Sequence, residues 1–142
     1  MIRLTKIVHF ETAHAIHGYQ GACKNIHGHS YELHVTVASQ YSGDSYIPTP
    51  GFVIDFKEIK KMVNNTITEL FDHKIVLSTA FLQQFPAIAE QENLLIWEVE
   101  PTAENLLIFI KDQLNLKMNA PIRLVQLKLF ETKDSYAEWM AD

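Results

Sequence analysis

His27-Gly28-His29-Ser30-Tyr31-Glu32-Leu33-His34-Val35-Thr36-Val37-Ala38 is the stretch that decides the fold. His27, His29, Tyr31, Leu33, Val35 and Val37 share one parity, and Ser30, Glu32, His34 and Thr36 share the other. Successive side chains of a strand stand on opposite faces, so this pattern predicts a strand with one buried face and one polar face. Residues 2–14 alternate as well: Leu4, Val8, Phe10 and His14 hold one parity, with Lys6 and Thr12 as exceptions. Both predicted strands therefore carry histidines at an end of the apolar face, where a bound ion would be partly shielded from water.

Beyond these strands the period changes. Phe56, Ile59, Val63, Ile67 and Leu70 recur at helical spacing over 55–71, with Asp55 as N-cap. A second helix is expected after Pro101-Thr102, capped by Thr102, with Leu106, Leu107, Ile110 and Leu114 as its stripe. Residues 122–131 read as a third strand with Val125, Leu127, Leu129 and Glu131 on one face, and Tyr136 to Trp139 as a short fourth. Strands grouped at both ends around paired helices predict an α+β fold: an antiparallel four-stranded sheet with two helices on one face. Residues 39–52 and 72–100 are expected to be irregular; the second is long for a loop, and such loops carry function or meet a neighbouring subunit.

Composition sets the outer limits. A chain of 142 residues, 47% hydrophobic and 20% charged, fits one domain over 1–142 with a core of its own. The net charge of −5 argues against a nucleic-acid partner, which calls for a basic face. A small anionic substrate needs only local cations, for which Lys24 and Lys74 are at hand. No apolar run reaches membrane-spanning length and the first residues lack the apolar core of a secretory signal, so a cytoplasmic protein is expected. A lone Cys23 excludes an intrachain disulfide.

His14, His27 and His29 are the candidate metal ligands. His27 and His29 are two apart on one strand and point to the same side. Three neutral nitrogens leave a fourth zinc position open, as in catalytic rather than structural sites. Zinc suits imidazole better than magnesium or calcium does; ligand type leaves iron, nickel and copper open. His17 is an alternative to His14, which is preferred for its parity; His9 and His34 fall on the opposite faces, toward solvent. Cys23 has three readings that the sequence does not separate: a fourth ligand closing the site, an inert buried thiol, or a base or nucleophile activated by nearby cations. Asp72-His73 are merely neighbours in sequence unless the carboxylate orients the imidazole for proton transfer. Glu131 ends an inward-facing strand, where an unpartnered carboxylate is costly. Either it reaches water or it meets a hydrogen-bonding ligand, such as the adjacent N–H donors of a pterin ring.

These pieces coincide with a family. Phe10-Glu11-Thr12-Ala13-His14, Cys23-Lys24-Asn25-Ile26-His27-Gly28-His29, Val53-Ile54-Asp55-Phe56, Phe71-Asp72-His73, Pro101-Thr102-Ala103-Glu104-Asn105 and Phe130-Glu131-Thr132 occur in the family's order across most of the chain. The chain resembles the 6-pyruvoyl-tetrahydropterin synthase and 6-carboxytetrahydropterin synthase family. The resemblance implies a tunnelling fold, with subunits joining their sheets into a barrel, two rings stacked head to head as a hexamer or similar homo-oligomer, and active sites at subunit interfaces. It implies Zn2+ on His14, His27 and His29, Cys23 as proton acceptor with Asp72 and His73 as its relay, Glu131 as anchor of the pterin ring, and Thr102 and Glu104 lining that pocket. The implied substrate is 7,8-dihydroneopterin triphosphate. One branch cleaves its side chain, releasing acetaldehyde and triphosphate and leaving 6-carboxytetrahydropterin, a precursor of queuosine; the other eliminates triphosphate to give 6-pyruvoyl-tetrahydropterin. Only three residues separate Cys23 from His27, a short spacing similar to the carboxy-forming bacterial enzymes. Residues 78–99 match no motif of the family. The readings outside this chemistry are a pterin- or purine-binding module without catalysis, and a structural zinc site closed by Cys23.

Overall fold

The two alternating segments pair with each other along their whole length. In a computed structural model, which describes residues 1–40 and 45–142, β1 (Arg3–His14) and β2 (His27–Ser39) form an antiparallel ladder from Arg3 opposite Ala38 to His14 opposite His27. Val8 and Phe10 of β1 and Tyr31, Leu33, Val35 and Val37 of β2 are buried on the same side. Thr12 breaks the apolar pattern yet is buried with them, because its hydroxyl donates to the Phe71 carbonyl at 2.8 Å. That bond removes the cost of burying a hydroxyl.

The helices cover this face. Asp55 caps α1 (Phe56–Val63) by accepting from the Lys57 N–H at 2.8 Å. The run continues through a π turn (Asn64–Thr68) into α2 (Glu69–Phe71). Its buried residues, Ile59, Val63, Ile67 and Phe71, are each four apart. At 3.6 residues per turn, each such step rotates the side chain about 40° past alignment. The wide turn unwinds that drift and keeps one apolar face on the sheet.

Among the described residues the sheet has six strands of mixed direction, in the order β4-β3-β1-β2-β5-β6, which corrects the expected four antiparallel ones. The antiparallel part matches expectation: β5 (Ile122–Thr132) pairs with β2, and β6 (Ser135–Met140) pairs with β5. The two added strands lie within the stretch expected to be irregular. β3 (Lys74–Ser78) runs parallel to β1 at Thr12–His14, and β4 (Leu94–Trp97) runs parallel to β3. Each is a short run of consecutive apolar residues, Ile75-Val76-Leu77 and Leu94-Leu95-Ile96-Trp97, without alternation, so periodicity does not mark them. Between them, Ser78 caps α3 (Thr79–Gln84) by accepting from the Phe81 N–H, and a 3-10 turn follows over Pro86–Glu90. Leu77 and Phe81 close a small second core with Ala15. Of the other stretch expected to be irregular, Ser39 ends β2, 45–52 form neither helix nor strand, and 41–44 fall outside the described residues.

α4 (Ala103–Asn115) begins at Thr102, whose hydroxyl accepts from the Asn105 N–H at 3.2 Å, and buries Leu106, Leu107, Ile110 and Leu114. A second departure concerns β5. The register shifts between Thr36 and Val37 of β2, leaving Val125 as an extra residue. Ile122 and Leu124 face the main core before this bulge, and Leu127 and Leu129 face it afterwards. Val125 is buried but stands outside that core. A bulge switches the parity of everything beyond it; it is what keeps Glu131 on the inner side.

Candidate metal centre and adjoining cleft

His14 and His27 are direct cross-strand partners at the last rung of the β1–β2 ladder, and His29 is two residues further along β2. One ladder therefore brings together three imidazoles whose ligand atoms all lie within 4.8 Å of one another. The tautomers of two follow from their outer neighbours. His14 Nδ1 is 2.6 Å from the Pro101 carbonyl, and His27 Nδ1 is 2.7 Å from the Asn25 carbonyl. A carbonyl only accepts, so each Nδ1 carries the hydrogen and donates it. In the neutral rings both Nε2 atoms are then bare lone pairs, 3.0 Å apart. Two lone pairs at that distance repel unless a cation lies between them. A proton is disfavoured, because burial holds the His14 pKa below its ordinary value, with the charges of His27 and His29 acting the same way against the Pro101 carbonyl and Glu131. The donor set thus fits a metal ion, with backbone carbonyls fixing two ligands from behind, as outer-shell partners do at metal sites. His17 is not in the cluster; its backbone N–H is held by Glu100.

The three imidazoles open onto a cleft of about 610 Å³. Cys23 lines it, exposed on the single turn Ala22–Lys24, whose position is set by the Ile16 N–H donating to the Cys23 carbonyl at 2.8 Å. Cys23 is outside the cluster of metal-competent atoms. Its exposure removes the buried-thiol reading. Glu131, Thr102 and Glu104 line the same cleft, so with Cys23 three remote stretches of sequence meet at the histidines there. A larger hollow of about 850 Å³, between α1 and the end of α4, contains no histidine or cysteine.

Asp72 and His73 are placed elsewhere. They do not line the cleft; they hang beside Glu11 on β1, where the Glu11 N–H donates to Asp72 Oδ1 at 2.9 Å and the His73 N–H donates to the Glu11 carbonyl at 2.7 Å. His73 takes a positive φ of 59°, which turns its ring back so that Nδ1 lies 3.0 Å from Asp72 Oδ2. The Glu11 N–H, with His73 second, holds the Asp72 pKa below the ordinary value. The pair is therefore an oriented carboxylate–imidazole dyad, open to solvent and apart from Cys23 within one chain.

Some participants escape a reading by motif. Tyr31 shares the parity of His27 and His29, but its alternation marks it only as core. It is fully buried, and its hydroxyl lies 3.4 Å from both Glu131 Oε1 and His14 Nδ1. Tyr19 also lines the cleft, its ring lying so close over Gly21 that a side chain there would collide with it. Tyr136 and Glu138 form the wall that β6 contributes. The outward histidines are not simply solvated: His9 and His34 hydrogen-bond the two oxygens of Glu32, at 3.0 and 2.6 Å. Among the described residues, no helix is long and apolar enough to cross a membrane.

The family model for 6-pyruvoyl tetrahydropterin synthase matches residues 3–142. The chain is 29% identical over 142 residues to the 6-carboxy-5,6,7,8-tetrahydropterin synthase of Rickettsia bellii, covering 97% of this chain and 99% of that one. It is 30% identical over 145 residues to the enzyme of the same name from Haemophilus influenzae, covering 98% and 99%. Its fold is similar to that of Caenorhabditis elegans 6-pyruvoyl tetrahydropterin synthase, with a TM-score of 0.71 at 20% identity over 99% of this chain and 96% of that one.

Proposed function

The chain belongs to the 6-pyruvoyl tetrahydropterin synthase family, and on that premise we propose that it converts 7,8-dihydroneopterin triphosphate and one water to 6-carboxy-5,6,7,8-tetrahydropterin, releasing acetaldehyde and triphosphate. The observation that carries the proposal is a cleft in which a three-histidine cluster, a thiol outside that cluster and an inward carboxylate converge. The full-length relatives of the same name support this branch, as does the short spacing from Cys23 to His27. The product is a precursor for queuosine.

His14, His27 and His29 would hold zinc, which when bound supplies Lewis-acid chemistry that makes a neighbouring hydroxyl easier to deprotonate. Glu131 accepts two adjacent N–H groups of the pterin ring and sets its place in the cleft, with Thr102 and Glu104 beside it. The Cys23 thiolate takes a proton from the substrate side chain. Because Cys23 is exposed on a turn rather than packed in the core, it can approach the substrate without disturbing the ligand cluster.

The Asp72–His73 dyad would serve as relay from a second copy of the chain. β3 pairs with β1 only at Thr12–His14 and Asp72–His73 take up the backbone groups of Glu11, so residues 3–10 of β1 form an open edge, and β6 forms the opposite one. Open edges present unpaired N–H and C=O groups that call for a partner. Adjacent strands alternate in direction through β1, β2, β5 and β6, so β6 of one copy can meet β1 of the next antiparallel. That arrangement carries the dyad beside Glu11 toward the β6 wall of the neighbouring cleft. A ring of such contacts is the homo-oligomer we propose, each chain acting as one domain.

Product analysis tests the reading. Zinc-loaded protein given 7,8-dihydroneopterin triphosphate should yield acetaldehyde and a pterin of the carboxy product's mass. A pyruvoyl product without acetaldehyde would move the chain to the triphosphate-eliminating branch with the same site. Absence of both products would sink the proposal.

A further inference from the structure

The Glu131 carboxylate stands where it can do either of two incompatible things. Its Oε1 is 3.7 Å from His14 Nε2 and 3.9 Å from His29 Nε2. Both distances fall inside the 4.8 Å spread of the imidazole ligand atoms. Carboxylates bind zinc readily beside imidazole. Left free to swing, Glu131 would fill the coordination position the substrate needs, and would be withdrawn from the ring it is meant to anchor.

One side chain bears on that choice. Tyr31 is fully buried and stacked on Phe10 with ring centroids 5.4 Å apart, so its phenol has little freedom. Its hydroxyl lies at the long end of hydrogen-bonding range, 3.4 Å, from Glu131 Oε1 and from His14 Nδ1. His14 Nδ1 carries the hydrogen it gives to Pro101, so the phenol cannot donate there. It donates to Glu131.

We infer that Tyr31 is a positioning residue that holds the Glu131 carboxylate off the metal and toward the pterin ring, keeping one coordination position open. This rests on the proposed function, since it takes a metal on the three histidines and Glu131 as ring anchor. The cobalt(II) form of the full chain tests it, because the visible band of cobalt reports its ligands and azide titration reports an open position. Tyr31→Phe keeps the ring and its packing. It should bind azide about tenfold more weakly, a size typical of outer-shell substitutions at metal sites, and release cobalt to a chelator more slowly. The double variant Tyr31→Phe/Glu131→Gln should regain the wild-type azide affinity. Glu131→Gln alone should leave the wild-type cobalt band in place, and this variant decides the matter if Tyr31→Phe does not fold. An unchanged azide affinity in Tyr31→Phe would overturn the inference, as would a shifted band in Glu131→Gln alone. A wild-type chain that takes up no cobalt would sink the metal reading itself, whereas normal uptake with an unresponsive Tyr31→Phe sinks only the inference.

Discussion

Cys23 shares a cleft with three imidazoles but stands outside their cluster, and the proton-acceptor role proposed for it is one that its removal can check. A metal ligand would weaken metal retention when lost, whereas a proton acceptor would not. Cys23→Ala should keep its full metal content, measured by elemental analysis, while turnover falls by about 10²–10⁴, the range general base catalysis contributes. Loss of metal from that variant would restore the closed structural site. On the other face of the sheet, Glu32 accepts from His34 and His9, and these bonds hold its pKa below the ordinary 4.5. A depressed carboxylate stabilises the fold above the ordinary pKa and loses that contribution as pH falls through the lower folded value. Glu32→Gln should therefore melt below the wild type at neutral pH, with the gap closing as both are taken into the acid range. A melting-temperature difference constant from pH 7 to pH 3 would show that the bonds to His9 and His34 do not act through charge.

Elements divide into those with a local signal and those without. Both principal helices begin at side-chain caps visible in sequence, Asp55 and Thr102. Each cap satisfies a backbone N–H that the first turn leaves unpaired, and replacing either by alanine should cost about 1 kcal/mol in chemical denaturation. The two should differ in function: Thr102 lines the cleft and Asp55 does not. Thr102→Ala should raise the substrate KM as well, whereas Asp55→Ala should leave it unchanged; equal effects on KM would argue that Thr102 acts only as a cap. The π turn was not legible: the stripe Phe56, Ile59, Val63, Ile67 and Leu70 fits an unbroken α-helix, whereas the structure exposes Phe56 and buries Phe71, with Leu70 only partly covered. The bulge at Val125 was not legible: the apolar run Leu124-Val125 fits either parity, and only the ladder with β2 selects Leu124. β3 and β4 lacked the alternation that marks a half-buried strand, because each is a run of consecutive apolar residues; β3 has a strand on either side, and β4 is the edge strand beside it.

For the whole molecule the separation of Asp72–His73 from Cys23 within one chain is the fact with most consequence. If the dyad reaches the thiol of a neighbouring copy, two inactive variants can repair each other. Cys23→Ala and His73→Ala should each be inactive alone. Mixed after dissociation and reassembled, they should regain activity at about one interface in four, as random pairing in a symmetric ring requires. Mixtures no more active than their parts would place relay and thiol in the same chain. By itself the sequence determined the β1 and β2 strands, both capped helices, the three-histidine set and the family, because each is written in local periodicity or in side-chain chemistry at fixed spacing. The tertiary structure decided the rest. It added two parallel strands, put a bulge into β5 that turns Ile122 and Leu124 into the core and leaves Val125 outside it, brought Tyr31 between Glu131 and His14, and set Asp72–His73 on an outer edge. These depend on pairing between segments remote in sequence, whose register is fixed by the ladder as a whole and by no residue taken alone.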